Sequence, residues 1–337
     1  MTGLRDRIVA EFGSGDAHAE NTSVQETRHV STELENDVNN QLPDSGDDSS
    51  MFAQMMRDAK SRADFFASPL PKPAASRIVA VSNQKGGVGK TTTAVNIAAA
   101  LAAGGLQVLV IDADPQGNAS TALGGKPAGG EPSIYHVLTG AMKLADIIRQ
   151  VPDANNLWVA PSTMDLSLAE IELVTGEHRE FRLRDALQKY MNAAHTGNGI
   201  HFDFVFIDSP PSLGMLTMNA LVAAQEVMIP IQAEYYALEG LTQLMSTIAT
   251  IQQRFNTQLK ISTILLTMFD RRTNLANDVA ADVQSYFPNE LLETKIPRNV
   301  RISEAPSFGQ TVISYDPRSA GAAAYFSAAK EIAERNA

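Results

Sequence analysis

Residues 78–96, Ile78-Val79-Ala80-Val81-Ser82-Asn83-Gln84-Lys85-Gly86-Gly87-Val88-Gly89-Lys90-Thr91-Thr92-Thr93-Ala94-Val95-Asn96, decide the fold. The apolar run from Ile78 to Val81 reads as a short buried strand. Gly86, Gly87 and Gly89 let consecutive backbone N–H groups turn inward on an anion, and the helix expected from Lys90 adds its positive end. Such a turn is a phosphate cradle, in which Lys90 reaches the β- and γ-phosphates of a nucleotide and the Thr91 hydroxyl ligates magnesium. The ordinary phosphate-loop pattern places a glycine five residues before its last glycine. Here that position is Gln84, and a second lysine, Lys85, stands at the mouth of the loop.

The string Lys-Gly-Gly-Val-Gly-Lys-Thr resembles the deviant Walker A loop of the P-loop ATPases related to ParA and MinD. The resemblance implies that Lys85 swings across a dimer interface to a phosphate held by the facing subunit, and that Lys85 and Lys90 both serve catalysis. It also implies ATP binding by Lys85, Gly86, Gly87, Val88, Gly89, Lys90, Thr91 and Thr92. The plainer alternative makes Lys85 a surface lysine beside a glycine turn.

With 337 residues, 44% hydrophobic and 19% charged, the chain is long enough for one large α/β domain plus additions. No apolar run reaches the ~18 residues of a membrane span and the first residues lack an apolar signal-peptide region, which points to the cytoplasm. The absence of cysteine excludes disulfides, thiolate metal sites and cysteine-held iron–sulfur clusters, and so removes the nitrogenase iron protein, a relative sharing the deviant loop. A net charge of −11 argues against bulk attraction to nucleic acid, so any DNA contact must be a local patch.

Residues 1–76 read as an acidic, largely disordered arm, with 13 Asp and Glu against 7 Lys and Arg, ahead of the ATPase domain expected over 77–337. Two stretches interrupt its polar run: Leu4, Ile8, Val9 and Phe12 share a helical face, as do Phe52, Met55, Met56 and Ala59. They read as transient helices, or as hooks for a further partner.

The helix from Lys90 to Ala103 stops at Gly104-Gly105. A strand over 107–111 then delivers Asp112-Ala113-Asp114-Pro115-Gln116-Gly117-Asn118 at its carboxyl end, the edge where open parallel sheets place ligands. This segment matches switch I of the ParA family, and the match gives Asp114 the role of setting the attacking water; otherwise Asp114 caps a turn before Pro115. Asp112 and Asp114 are read as pointing to opposite sides of the segment, so that only one is expected to face the phosphates. Ile134, Val137 and Leu138, and then Leu166, Leu168, Ile171 and Leu173, recur at helical spacing and read as core faces around a strand over 157–161. His136, His178, His195 and His201 show no ligand spacing.

Phe202-Asp203-Phe204-Val205-Phe206-Ile207-Asp208 is an apolar strand ending in an acid, the Walker B arrangement, in which Asp208 holds magnesium directly or through water. Pro210-Pro211 stiffens the loop that follows, which matches the family's switch II. A strand over 227–232, a helix over 238–255 and a strand over 260–268 continue the βα alternation of a doubly wound, mostly parallel sheet.

The last third holds Asp270-Arg271-Arg272 and Ile296-Pro297-Arg298-Asn299-Val300-Arg301, followed by Glu304-Ala305-Pro306-Ser307. Both segments resemble Soj-like ParA proteins. The resemblance implies that Arg272 and Arg301, with Arg271 and Arg298 as weaker candidates, bind DNA backbone without reading sequence, and that Pro297 and Asn299 pack by the adenine. The alternative is that these arginines pair with Glu293, Glu304 or Asp270 as solvated ion pairs. The C-terminal helix over 320–335 lacks the broad apolar face and flanking cations of a membrane-inserting helix.

Over residues 77 to about 335 the resemblance therefore implies an ATPase of DNA partition. ATP and magnesium draw two subunits into a homodimer that binds double-stranded DNA on the nucleoid. A ParB-type centromere-binding protein stimulates a slow hydrolysis that releases it. Three other readings stay open: a MinD-like ATPase acting at a membrane, a ParA-like ATPase positioning another cargo, and a metabolic P-loop ligase.

Overall fold

The computed structural model describes residues 69–335, apart from 174–175 and 235–236. The first 68 residues of the expected arm, with both apolar stretches, lie outside the described residues. Leu70 is already part of the fold, since it is buried and its N–H donates to the Gly104 carbonyl at 2.9 Å.

Among the described residues seven strands form one sheet: β1 (Arg77–Val81), β2 (Val108–Asp112), β3 (Arg149–Gln150), β4 (Leu157–Ala160), β5 (Phe204–Asp208), β6 (Glu226–Gln232) and β7 (Lys260–Thr267). Their order is β3-β4-β2-β5-β1-β6-β7, with every pair parallel except β3 against β4. The helices α1 (Lys90–Ala103), α2 (Asn118–Ala122), α3 (Ile134–Leu138), α4 (Leu166–Glu172), α5 (Arg182–His195) and α6 (Met215–Ala223) follow in the first two thirds. α7 (Ala237–Arg254), α8 (Asn274–Tyr286), α9 (Val300–Glu304), α10 (Val312–Tyr315) and α11 (Ala320–Glu334) complete the chain. The doubly wound, mostly parallel α/β class is as the sequence indicated.

Alternation along each strand divides the core. Val79, Val81, Val108, Val110, Phe204 and Phe206 point to one face, where α1 and α11 cover them with Ala94, Ala98, Leu101, Tyr325, Phe326 and Ala329. Leu109, Ile111, Val205 and Ile207 point to the other face, against Ile134, Leu166, Leu183 and Leu216. The alanines of α1 let its backbone lie close to both the sheet and α11, which explains why a helix so poor in large side chains is buried along most of its length. At the amino-terminal end of β1, Arg77 makes a two-pronged pair with Glu226, both bonds 2.8 Å, and donates to the Ile332 carbonyl at 2.7 Å. This buried pair ties β1 to β6 and α11.

One expected core face is corrected. Leu166 and Leu173 are buried, but Leu168 is 50% and Ile171 72% exposed. At 100° per residue, positions 166, 169 and 173 share one side of α4, while 168 and 171 fall on the other. The sequence had merged two faces into one.

Chain order within the sheet builds the site. The chain leaves β1, passes over the place that β5 later fills, and forms β2. When β5 inserts, Asp208 pairs with Val81 on one side and Asp112 on the other. Neighbouring strands lie about 4.8 Å apart, so the segments leaving β1, β2 and β5 emerge side by side at one carboxyl edge.

Candidate functional site

The loop from Ser82 to Gly89 is held at both ends. The Asn83 side chain donates to the Pro230 carbonyl at 2.8 Å and accepts from the Lys85 N–H at 3.0 Å. The Thr267 hydroxyl, at the end of β7, donates to the Val88 carbonyl at 2.8 Å. Gly87 and Gly89 have φ of 75° and 89°, a left-handed backbone that glycine adopts without steric cost. Gly89 is the N-cap of α1, so the first N–H groups of a 14-residue helix open onto the loop.

Lys90 is buried and its ammonium donates to the Lys85 carbonyl at 3.1 Å. Burial pushes it below the ordinary lysine range, and the nearby Asp208 and Asp114 carboxylates pull it back only in part. Asp208 is wholly buried, and neither of its oxygens completes a hydrogen bond. Burial, with the Asp112 carboxylate beside it, holds the Asp208 carboxyl well above its usual range; the Thr91 hydroxyl and Lys90 counter that rise without completing a bond to it. A buried carboxylate with two unpartnered oxygens beside a threonine hydroxyl is a donor set that suits a hard divalent cation such as magnesium.

Strict alternation would set Asp112 and Asp114, two positions apart, on one face, but β2 ends at Asp112 and the chain turns there, so the two acids separate. Asp112 turns inward and accepts from the Ser120 N–H at 2.7 Å, the Ser120 hydroxyl at 2.6 Å and the Asp114 N–H at 3.2 Å. Burial nevertheless pushes its carboxyl up to about 6. Asp114, also buried, lines a cavity of about 460 Å³ together with Gly86, Gly87, Gly89, Lys90 and Thr91. Gln116, Asn118, Pro211, Met268 and Pro306 close the same cavity. A smaller space of about 250 Å³ shares Gly89, Thr92 and Met268 with it and is walled by Pro297, Arg298, Asn299 and Ile302. The Asn299 side-chain oxygen already caps α9 through the Arg301 N–H at 2.9 Å, which leaves its amide nitrogen for a ligand. Two larger clefts of about 750 and 790 Å³ lie elsewhere and contain neither the glycine loop nor the three acids.

Lys85, at the lip, pairs with Glu234 of its own chain at 2.6 Å, with both side chains roughly half exposed. Two of the candidate arginines of the last third are paired as well. Arg272 grips Asp270 through two bonds of 2.9 and 2.8 Å, and Arg301 meets Glu304 at 2.9 Å and Asp316 at 3.4 Å. The Arg272 guanidinium brings the Asp270 carboxyl down to about 2, with a smaller contribution from Arg298. Arg271 and Arg298 are exposed. The two arginine segments are fixed to the same edge, because the Phe269 N–H donates to the Ile296 carbonyl at 2.9 Å.

The fold sets the loop, Asp114 and Asp208 at one edge, while sequence reasoning missed the partners of Lys85 and Lys126. Glu234 lies 149 positions from Lys85, with nothing in the local pattern to connect them. The Lys126 ammonium donates to the carbonyls of Pro115 and Gln116, across a stretch that reads only as a glycine-rich loop. Gly117, where a Cβ would stand 2.6 Å from Lys126 Cε, was the signal of a close approach there.

A family model described as an AAA domain matches residues 76–261. The sporulation initiation inhibitor protein Soj of Bacillus subtilis is 50% identical over 257 residues, 76% of this chain and 98% of that protein. The chromosome partitioning protein ParA of Myxococcus xanthus is 47% identical over 260 residues, 77% of this chain and 89% of that one. Among solved structures, a Mycobacterium smegmatis protein described as cobyrinic acid a,c-diamide synthase, with bound ATP analog and magnesium, superposes with a TM-score of 0.63 at 37% identity, over 76% of this chain and 93% of that chain. With its glycine loop, its flanking acids and these relatives taken together, the chain belongs to the ParA family of Soj-like P-loop ATPases.

Proposed function

We propose that this protein is a magnesium-dependent ATPase of DNA partition, in which ATP joins two subunits and the joined pair holds DNA. The observation that carries the reading is the convergence of Lys90, Thr91, Asp114 and the unpartnered Asp208 on one glycine loop. In this scheme the glycine loop and Lys90 bind the phosphates, while Pro297 and Asn299 bound the space for the base. Thr91 and Asp208 hold magnesium, which supplies charge neutralisation for phosphoryl transfer to water. Asp114 orients that water from the wall of the cavity.

Lys85 exchanges Glu234 for a phosphate across the subunit interface. Exposed ion pairs contribute about 0–1 kcal/mol, so the exchange meets little resistance. The surface pairs of Arg272 and Arg301 break as cheaply when DNA phosphates replace the carboxylates, and such contacts give affinity without base information. Two weak basic patches joined in one dimer bind far more tightly than either alone, which makes DNA affinity follow nucleotide state. Stimulation by a ParB-type partner, residence in the cytoplasm on the nucleoid, and service to a chromosome or plasmid origin complete the proposal. The N-terminal arm is the remaining site for a further partner.

The diamide synthase relative would instead suggest an ATP-dependent ligase. The partition reading is preferred because the Soj and ParA relatives are nearer in sequence, at 50% and 47% against 37%. Among the described residues no helix is long and apolar enough to cross a membrane. The test is Lys90→Ala in parallel nucleotide-binding and DNA-retention assays. Loss of both together is expected, and DNA retention without nucleotide binding contradicts the scheme.

A further inference from the structure

We propose that Lys126 is a positioning residue for Asp114, acting through two peptide groups of the segment between them. The proposal rests on the reading above, in which Asp114 orients the attacking water. The Lys126 ammonium donates to the Gln116 carbonyl at 2.5 Å and to the Pro115 carbonyl at 3.4 Å. Each of those carbonyls belongs to a peptide whose N–H is spent on Asp114. The peptide joining Pro115 to Gln116 gives its N–H to the Asp114 carboxylate oxygen Oδ1 at 2.9 Å. The next peptide, from Gln116 to Gly117, gives its N–H to the Asp114 backbone carbonyl, also at 2.9 Å.

A cation on the carbonyl side of a peptide polarises it and strengthens the bond made by its N–H. Lys126 therefore tightens two of the bonds that fix Asp114, one on the carboxylate and one on the backbone that carries it. Its side chain acts from behind the segment. Asp114 and Gln116 line the 460 Å³ cavity, whereas Lys126 is not among the described residues lining it. The route across the segment exists because residue 117 is glycine. Gly117 has φ of 65°, and a Cβ there would stand 2.6 Å from Lys126 Cε and 2.9 Å from Nζ. Gly124 and Gly125, with φ of 105° and 125°, turn the chain so that Lys126 can return over Gly117.

The test is hydrolysis of Mg·ATP by the full chain in the presence of duplex DNA, read as kcat and KM separately. Lys126→Met keeps the apolar stem over Gly117 and removes the donors. Removing a bond to a charged group from the positioning of a reacting water lowers kcat by roughly tenfold or more, with KM expected to stay within about twofold. Lys126→Arg restores kcat, and Lys126→Gln, which keeps a donor without charge, falls between.

Asp114→Ala and the double variant Asp114→Ala/Lys126→Met separate the inference from the reading beneath it. A double variant no slower than Asp114→Ala alone supports action through Asp114; a further drop gives Lys126 an independent route and overturns the proposal. Unchanged kcat in Lys126→Met beside a crippled Asp114→Ala overturns it too, as does a raised KM with kcat intact. Wild-type turnover by Asp114→Ala removes the role of Asp114 itself.

Discussion

Replacing Asp208 with Asn should stabilise the protein without nucleotide and abolish its response to Mg·ATP. Asp208 is wholly buried and both its oxygens lack partners, so its charged form meets a desolvation cost that Lys90 and the Thr91 hydroxyl offset only in part. The sign of the pH dependence follows from the raised carboxyl. The folded state holds this proton at pH values where the unfolded chain has released it, so wild-type stability falls as pH rises from the ordinary 3.8 through the folded value. Asn is neutral throughout, so the two proteins match in acid and the variant pulls ahead as pH rises.

An unsatisfied buried polar group costs about 1–3 kcal/mol, and more when charged, so a gap of about 2 kcal/mol at pH 8 is a fair expectation. In a domain of this size that is about 4–8 °C in Tm. Magnesium nucleotide at 100 times its Kd adds about 2.7 kcal/mol to the wild type, and the variant should forfeit most of it. The assay is thermal unfolding of both proteins at pH 5 and pH 8, with and without Mg·ATP. A variant less stable than wild type at pH 8, or one gaining as much from Mg·ATP, would show that Asp208 is neither a burdened charge nor a magnesium ligand.

Two other perturbations bear on surface charges. Glu234→Gln releases Lys85 from its 2.6 Å pair and should tighten ATP-dependent dimerisation, by up to about fivefold given the ~0–1 kcal/mol of an exposed pair; sedimentation at graded protein concentration reads it, and weaker association would count against trans action by Lys85. Arg272→Glu with Arg301→Glu should leave dimerisation intact while DNA affinity collapses, and each DNA phosphate left without its arginine should flatten the dependence of log Kobs on log[salt] by about 0.9. Monomers that still bind DNA would show that the pairs to Asp270, Glu304 and Asp316 are structural.

Features fixed by local chemistry could be read from the sequence. The helix from Lys90 to Ala103 has glycine at each end, and it begins and ends where those glycines indicate. Alternation alone would have put Asp112 and Asp114 on one face; they part because β2 ends at Asp112, whose carboxylate turns onto Ser120, and no strand signal shows that turn. The order β2-β5-β1 sets the loop and both acids on one edge, and strand signals alone do not give that order. The α4 stretch misled because apolar residues occupy both its sides, leaving Leu168 and Ile171 in solvent. Arg272 and Asp270 stand two positions apart, so their pair was visible as an alternative; the contact of Arg301 with Asp316 joins separate helical turns and was not. The hold of Lys126 on the segment after β2 emerges only in the folded chain, because its meaning lies in which peptide each carbonyl belongs to.

In this scheme Lys85 makes nucleotide occupancy and subunit pairing one event. The most direct test is the molar mass in solution of Asp114→Ala and of Asp114→Ala/Lys85→Ala, each with Mg·ATP, Mg·ADP or no nucleotide. A dimer is predicted only for Asp114→Ala with Mg·ATP, and monomers in every other case. A monomer under that condition, or a dimer that persists without Lys85, would contradict the central claim.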